Sequence, residues 1–317
     1  MLNILNVTAP FFALVACGFL AARYRMLPDN AVPALNTFVL YFALPCMLFR
    51  FTQETPVAQI FNGRVFLAYM ATGLSLLAIF TLAYRFATGM ALHDGAYPAL
   101  AVAWSNWGYM GFALIPSLLG AQSLPVIIAA GMADLLVVVS VGLALAGAGG
   151  AGGEGSRFSS VFRGAAWRAA KNPLFWSVIV GTVASALSVR LPVALDTFVR
   201  LLGTSASPVA LFAIGVSLYR PGVRVVRGDV MMITGAKLLL HPYMVALAAT
   251  YLFGLSRLET HTLILVAALP AAGTVFLFAE RAGADAEAIA GAILVSTALA
   301  FFSFSVLCWS FGIQLGA

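Results

Sequence analysis

Apolar residues run in blocks of about 20 from one end of the chain to the other, separated by short polar stretches. A block of that length spans the hydrocarbon core of a bilayer as one helix. The blocks predict ten spans, near residues 4–22, 33–51, 65–88, 96–119, 124–147, 173–189, 198–219, 229–253, 259–279 and 287–311. Continuous runs, without polar/apolar alternation, favour helices over the strands of an outer-membrane barrel. Composition removes the soluble classes: 62% of residues are hydrophobic, 9% are charged and the mean hydropathy is +1.01, where soluble domains carry about 25% charged residues. The expected fold class is an all-α polytopic membrane protein. No basic residue precedes the first block, and Arg23 and Arg25 follow it, so it reads as a retained span, not a cleaved signal.

Polar residues interrupt some blocks in an ordered way. The run Ala96–Leu119 contains Trp104-Ser105-Asn106-Trp107-Gly108-Tyr109-Met110-Gly111 and then Pro116. Glycine weakens a helix interior, and proline removes an N–H and clashes with the preceding turn. Irregular backbone at membrane depth survives only where protein or a water-filled cavity satisfies it. Span 4 is therefore either a broken helix lining a substrate path or a kinked helix packed through Ser105, Gly108 and Gly111. Span 9 carries the matching stretch Leu269-Pro270-Ala271-Ala272-Gly273-Thr274, and Pro45 in span 2 has a counterpart in Pro208 in span 7. Gly/Pro interruptions at corresponding positions of two halves point to the midplane site of a secondary transporter.

The longest loop, about residues 147–172, divides the spans into five and five. Five is odd, so the halves have opposite orientation, which predicts two inverted five-helix repeats. The expected organisation is a first repeat over 1–147, a linker over 148–172 and a second repeat over 173–317. The linker opens on a Gly-rich flexible run. It continues into a basic segment, Arg157–Lys171, with Phe158, Phe162 and Trp167, which reads as an amphipathic piece on the anionic leaflet; a regulatory docking site is the alternative.

Charge then sets the orientation. Eleven of the 17 Lys and Arg residues fall in odd-numbered loops and five in even-numbered ones, with Lys237 left inside span 8. The positive-inside rule puts the odd loops in the cytoplasm and both termini outside. The net charge of +6 follows this topology and is no nucleic-acid footprint. Cys17, Cys46 and Cys308 lie in apolar runs without metal-ligand spacing, so no metal or cofactor is expected.

Three ionisable residues lie within spans: Asp134, Lys237 and, one turn after it on the same face, His241. Charges at membrane depth are costly and functional by default. These are candidates for coupling or counter-ion roles, against snorkelling for Lys237, a neutral core histidine for His241 and a structural ion pair for Asp134. Glu280, Arg281, Asp285 and Glu287 read as a solvated turn between spans 9 and 10. Nothing resembles a nucleophile–base pair, a zinc helix or a phosphate loop, and His93 and His261 fall at loop or span edges, so no enzyme is expected.

Four stretches in register resemble the auxin efflux carrier family, bacterial branch, with its malonate transporters. They are Leu35–Pro45 in span 2, Ser105–Gly111 in span 4, Lys237–Pro242 in span 8 and Ala268–Arg281 in span 9. Thr274 stands near a place where the family commonly has an Asn. The resemblance implies broken helices 4 and 9 crossing near the midplane, a scaffold opposite them and transport of organic anions, with malonate or a similar dicarboxylate favoured. It implies the bacterial inner membrane, and leaves a homodimer as an option. On this reading Ser105, Asn106, Gly108, Tyr109, Gly111, Pro270, Ala272, Gly273 and Thr274 are the substrate-binding candidates. Pro45, Pro116, Pro208 and Pro270 are the helix-break candidates. The expected partners are a small organic anion and the lipid bilayer, without nucleic acid. A hydrophobic weak acid of the indole acetate type, stacked on Trp104, Trp107, Tyr109, Phe112 or Phe276, is the runner-up substrate. An anion channel or a sensor on the same bundle is the alternative activity.

Overall fold

The computed structural model describes residues 2–28, 31–55, 62–89, 94–147, 173–219 and 225–311. The predicted linker 148–172 with its basic segment lies outside the described residues, as do His93, Arg220 and Arg224. All regular elements among the described residues are helical. Seven of these helices are long and apolar enough to cross a membrane. They are α1 (Leu2–Arg23), α2 (Ala31–Glu54), α3 (Gly63–Thr88), α5 (Ala121–Gly147), α7 (Val193–Leu218), α8 (Gly228–Leu252) and α10 (Ala286–Ser310). α6 (Pro173–Ala186) is shorter. The other two apolar runs are split, into α4a (Ala96–Ala103) and α4b (Trp107–Leu119), and into α9a (Arg257–Ala268) and α9b (Thr274–Arg281).

The helices pack in two groups. α1, α2, α6 and α7 pack on one another, while α3, α4, α5, α8, α9 and α10 form the larger group. Within the first group α1 and α7 approach backbone to backbone. A Cβ on Gly18 would lie 2.0 Å from the Phe212 carbonyl oxygen, and one on Gly215 would lie 1.9 Å from that of Val15. Lipid offers no hydrophobic drive between helices, so small residues that permit such contact decide where they associate. Across the seam between the groups, the Thr8 and Ser305 hydroxyls lie 3.3 Å apart, joining α1 to α10.

Polar contacts sort the helix ends onto two faces. At one, the Asn62 side chain caps α3 and donates to Glu259, which in turn closes a capping box with Ser256 at the start of α9a. At the other, Arg227 before α8 holds Asp229 at 2.6 Å and Asp285, the N-cap of α10, at 2.7 Å. Donating hydrogen bonds to these carboxylates holds the Arg227 guanidinium above its already high ordinary value. Burial pushes the Asp285 carboxyl up, but the Ala288 N–H and the Arg227 hydrogen bond and charge outweigh it and leave the group below the usual carboxylate range.

Three of the four helix-break prolines do not break a helix. α7 runs unbroken through Pro208 and α4b through Pro116. α2 continues through Pro45, preceded by a π-helical turn at Val39–Ala43. A widened turn, or a Ser or Thr hydroxyl, can take up a carbonyl that proline leaves unpaired. Ser117 Oγ donates to the Leu114 carbonyl and Ser205 Oγ to the Leu202 carbonyl, neither of them the carbonyl four residues before the proline, Phe112 or Thr204, so these two helices simply absorb one lost bond each. Pro270 alone lies in a gap between helices.

Candidate functional site

The two gaps meet. Trp104 leaves α4a with φ −99° and ψ 113°, and Leu269 leaves α9a with φ −63° and ψ 153°, both extended. The extended pieces pair antiparallel, with Ser105 opposite Ala271. The Asn106 N–H donates to the Pro270 carbonyl at 2.9 Å, and the Ala272 N–H donates to the Trp104 carbonyl at 3.0 Å. The Ala271 N–H donates to Ser296 Oγ of α10 at 3.3 Å. Backbone groups freed by each break are thus satisfied by the other break, as a low-dielectric setting demands.

Consecutive residues of an extended segment point to opposite sides. Asn106 faces a cavity of about 110 Å³, bounded by α2, α4, α7, α9b and α10. It therefore lies on the seam between the two helix groups. Its polar lining is Asn36, Asn106, Tyr109, Ser217, Thr274 and Thr297; Gly273 and Thr274, which open α9b, border it too. Among the described residues none that lines it is charged.

Ser105 faces the other way, into a fully buried polar cluster. Its Oγ accepts from Lys237 Nζ at 2.6 Å and lies 3.2 Å from the Tyr69 hydroxyl. Lys237 Nζ also lies 2.8 Å from His241 Nδ1 and donates to the Ala267 carbonyl at 3.1 Å. Ala267 belongs to the last turn of α9a, whose terminal carbonyls carry the negative end of the helix dipole. The ammonium therefore caps one half-helix while holding the crossing through Ser105. The Val102 carbonyl, in the last turn of α4a, bears on the His241 ring, although among the described residues His241 Nε2 makes no well-formed hydrogen bond. Asp134 acts on Lys237 electrostatically, yet among the described residues neither of its oxygens has a hydrogen-bond partner. Lys237 and Asp134 each sit in a π-helical turn, Ala236–Leu240 and Asp134–Val138. Such turns recur at functional sites.

The predicted binding residues therefore separate. Asn106, Tyr109, Gly273 and Thr274 border the cavity. Ser105 turns to Lys237, while Pro270 and Ala272 commit backbone groups to the crossing. The Met110 and Gly111 N–H groups both donate to the Asn106 carbonyl, because the turn after the break closes on it. Gly111 packs under Leu269 and Trp107, whereas a Cβ at Gly108 would meet nothing within 4 Å. The aromatics mostly pack: Trp107 lies over Gly131 and edge-on to Phe112, and Trp104 stacks on Phe278. Asn36, Ser217, Thr297 and Tyr69 were not singled out by sequence. Asn36 had a signal, as the polar residue ahead of Pro45; the others are ordinary helix residues until folded.

A family model described as "Membrane transport protein" matches residues 4–308. The chain belongs to this family, the auxin efflux carriers. A protein of Rhizobium meliloti (strain 1021) named "Putative malonate transporter" is 30% identical over 299 residues, covering 94% of this chain and 93% of that one. An "Uncharacterized transporter" of Methanothermobacter thermautotrophicus is 25% identical, with 94% of each chain covered. "Uncharacterized transporter YfdV" of Escherichia coli (strain K12) is 24% identical, with 86% of each covered. This auxin efflux carrier family member is thus a multi-pass membrane transporter.

Proposed function

We propose that this chain is a secondary active transporter of small organic anions, malonate or a similar dicarboxylate, working by alternating access at the crossing of α4 and α9. The carrying observation is the cavity bordered by Asn106, Tyr109 and Thr274 on the seam between two helix groups. A site on such a seam opens to either side when one group moves against the other. The Asn36 and Asn106 amides and the Tyr109 and Thr274 hydroxyls supply neutral donors, and the first turn of α9b adds the positive end of its dipole. The ten crossings belong to two inverted five-helix repeats, 1–147 and 173–317, in the bacterial inner membrane with both termini periplasmic.

The small cavity supports a compact substrate over an indole ring, since pockets for larger ligands run to about 300–1,000 Å³, and Trp104 and Trp107 are engaged elsewhere. Asn106→Ala is the test. Malonate uptake into proteoliposomes is expected to be abolished or strongly reduced at unchanged expression and folding, and unimpaired uptake sinks the assignment. Proton coupling is part of the proposal: uptake rises as external pH falls and is lost when a protonophore collapses the gradient. Accumulation against a gradient separates this carrier from an anion channel.

A further inference from the structure

We infer that Lys237 carries the coupling proton, loaded from one side of the membrane and released to the other, and that Ser105 passes its state to the crossing. The inference rests on the proton-coupled reading above and names the group which that reading leaves open. It comes from the place the ammonium occupies and from the partners around it.

The place is the end of a half-helix. Lys237 Nζ donates to the Ala267 carbonyl, in the last turn of α9a, at 3.1 Å and to Ser105 Oγ, in the break of span 4, at 2.6 Å. In transporters built on broken helices, half-helix C-terminal ends and opened backbone hold the driving Na+ or H+. Here a tethered, fully buried ammonium fills that place. A Na+ brought to the same two oxygens would lie against a like charge in a weak dielectric. The cation that can come and go is the lysine's own proton.

The partners fit both protonation states. An ammonium has three N–H donors and no acceptor, and three acceptors meet it: Ser105 Oγ, His241 Nδ1 at 2.8 Å and the Ala267 carbonyl. The amine left after release has two N–H groups and one lone pair. The Ala267 carbonyl only accepts, but Ser105 can turn its hydroxyl proton onto that lone pair. The Tyr69 hydroxyl, 3.2 Å from Ser105 Oγ, takes either role, so the two hydroxyls reverse together and each of these contacts keeps a proton and a lone pair. Such reversible partners are superfluous around a lysine that is only a clamp.

The change reaches the cavity in two ways. Ser105 pairs with Ala271 in the crossing and directly precedes Asn106. A charge-assisted bond is about twice as strong as a neutral one, so release loosens the hold on Ser105 and leaves the negative end of α9a without its cation. An anion at Asn106 and the ammonium at Ser105 also attract across the crossing. That coupling is reciprocal: the anion holds the proton, the proton holds the anion, and once the anion leaves the proton follows. Loading forms one N–H bond at Nζ with a proton from water on one side, and release breaks it to water on the other.

Of the titratable groups around α8, Tyr69 of α3 reaches this shell and Asp134 of α5 acts on the ammonium. On α8 itself His241 is in contact, Asp229 opens the helix, and Tyr243 and Tyr251 are exposed. Among the described residues of the helices packed against α8, the others stand toward helix ends: Arg64, Tyr84 and Arg85 on α3, Tyr97 on α4a, Arg257, Glu259 and His261 on α9a, and Asp285 and Glu287 on α10.

The experiment follows net malonate uptake into proteoliposomes of the full chain across external pH at fixed internal pH, with Na+ replaced throughout by choline. The parent should accumulate malonate on a proton gradient alone, and uptake should fall on the alkaline side. Asp134→Asn takes away the carboxylate that favours the ammonium, so that fall should move toward acid by about one pH unit. Lys237→Arg keeps a cation beside Ser105 and Ala267 but cannot release its proton. It should keep the malonate-induced rise in melting temperature and lose net uptake at every pH. Net uptake by Lys237→Arg with the parent's pH profile overturns the inference, because a fixed charge then suffices. An Asp134→Asn profile superposed on the parent's also overturns it, and this variant decides should Lys237→Arg fail to fold. Accumulation that demands Na+ does so too. In the first two cases proton-coupled uptake by the parent stands, and with it the proposed function. A parent indifferent to pH and to Na+ has no such coupling, and the proton-coupled reading falls together with the inference. If the parent carries another organic anion and not malonate, the substrate reading fails and the same variants are read with that anion.

Discussion

Lys237 and Asp134 form an asymmetric couple, and the asymmetry has a measurable consequence. Lys237 is fully buried with three polar contacts, whereas Asp134 is fully buried with no hydrogen bond to either oxygen among the described residues. Lys237→Met keeps the unbranched stem and removes the charge. The Ala267 carbonyl then loses its donor, Ser105 keeps only Tyr69, and Asp134 is left without its cation. Removing one partner of a buried charge couple costs about 3–5 kcal/mol, which for a chain of this size is a fall in melting temperature of roughly 4–8 °C. Asp134→Asn removes no hydrogen bond but takes the opposite charge from Lys237; the three Lys237 contacts that remain offset part of this, so its expected cost is about 1–3 kcal/mol, below that of Lys237→Met. The double variant should recover about 1–3 kcal/mol of the Lys237→Met loss, the coupling typical of interacting residues. The assay is the melting of purified protein in one detergent at one pH and salt concentration, for the four members of the cycle. Two results refute the reasoning: Lys237→Met melting with the parent, or a double variant whose loss equals the sum of the two singles.

Two further outcomes follow from the packing and the loops. Gly215→Ala places a Cβ 1.9 Å from a backbone oxygen of α1, while Gly235→Ala in α8 meets nothing within 4 Å; the first should cost at least about 1–3 kcal/mol and the second should gain up to about 1 kcal/mol, read from melting and from the monodisperse fraction in detergent. The Asp285 carboxyl lies below its ordinary range, so its stabilising contribution is complete above the unfolded value of about 3.9 and is lost as pH falls through the lower folded value. Arg227→Gln should move that acid loss to higher pH, which a melting series from neutral to acid detects as an earlier onset than in the parent.

The fold was legible where lipid imposes a simple rule. Runs of about 20 apolar residues can only be helices, and observed boundaries such as Gly63–Thr88 and Ala286–Ser310 lie within a few residues of the predicted ones. The break in span 4 was legible as well, because Ser105, Asn106 and Gly108 have no place in a lipid-facing helix. Proline proved a weaker signal. Pro116 and Pro208 lie inside helices, since one missing hydrogen bond is easily absorbed, whereas at Pro270 the chain also has a pairing partner in span 4 to satisfy the opened backbone. Ser217 and Thr297 were invisible for another reason: a single hydroxyl in a helix carries no pattern until the fold brings it to a cavity wall. Asp134, Lys237 and His241 were visible as charges in lipid, but their grouping with Tyr69 depends on three helices meeting.

The crossing divides two jobs between neighbouring residues, and that division can be tested directly. Ser105 and Asn106 are adjacent where the extended piece ends, and their side chains leave it on different sides, Ser105 to Lys237 and Asn106 to the cavity. Ser105→Ala removes a hydrogen bond to a buried ammonium and leaves the Tyr69 hydroxyl without that partner, a loss of about 1.5–3 kcal/mol in stability. The cavity wall is unchanged by it, so substrate affinity in protein that folds should hold. Asn106→Ala keeps its backbone bonds to Pro270, Met110 and Gly111. It should melt near the parent and lose the ligand-induced rise in melting temperature that binding to the folded state produces. Melting each variant with and without saturating malonate gives both quantities from one experiment. If Ser105→Ala abolishes the ligand shift at intact stability, or Asn106→Ala retains it, the cavity does not lie on the side of the crossing assigned to it.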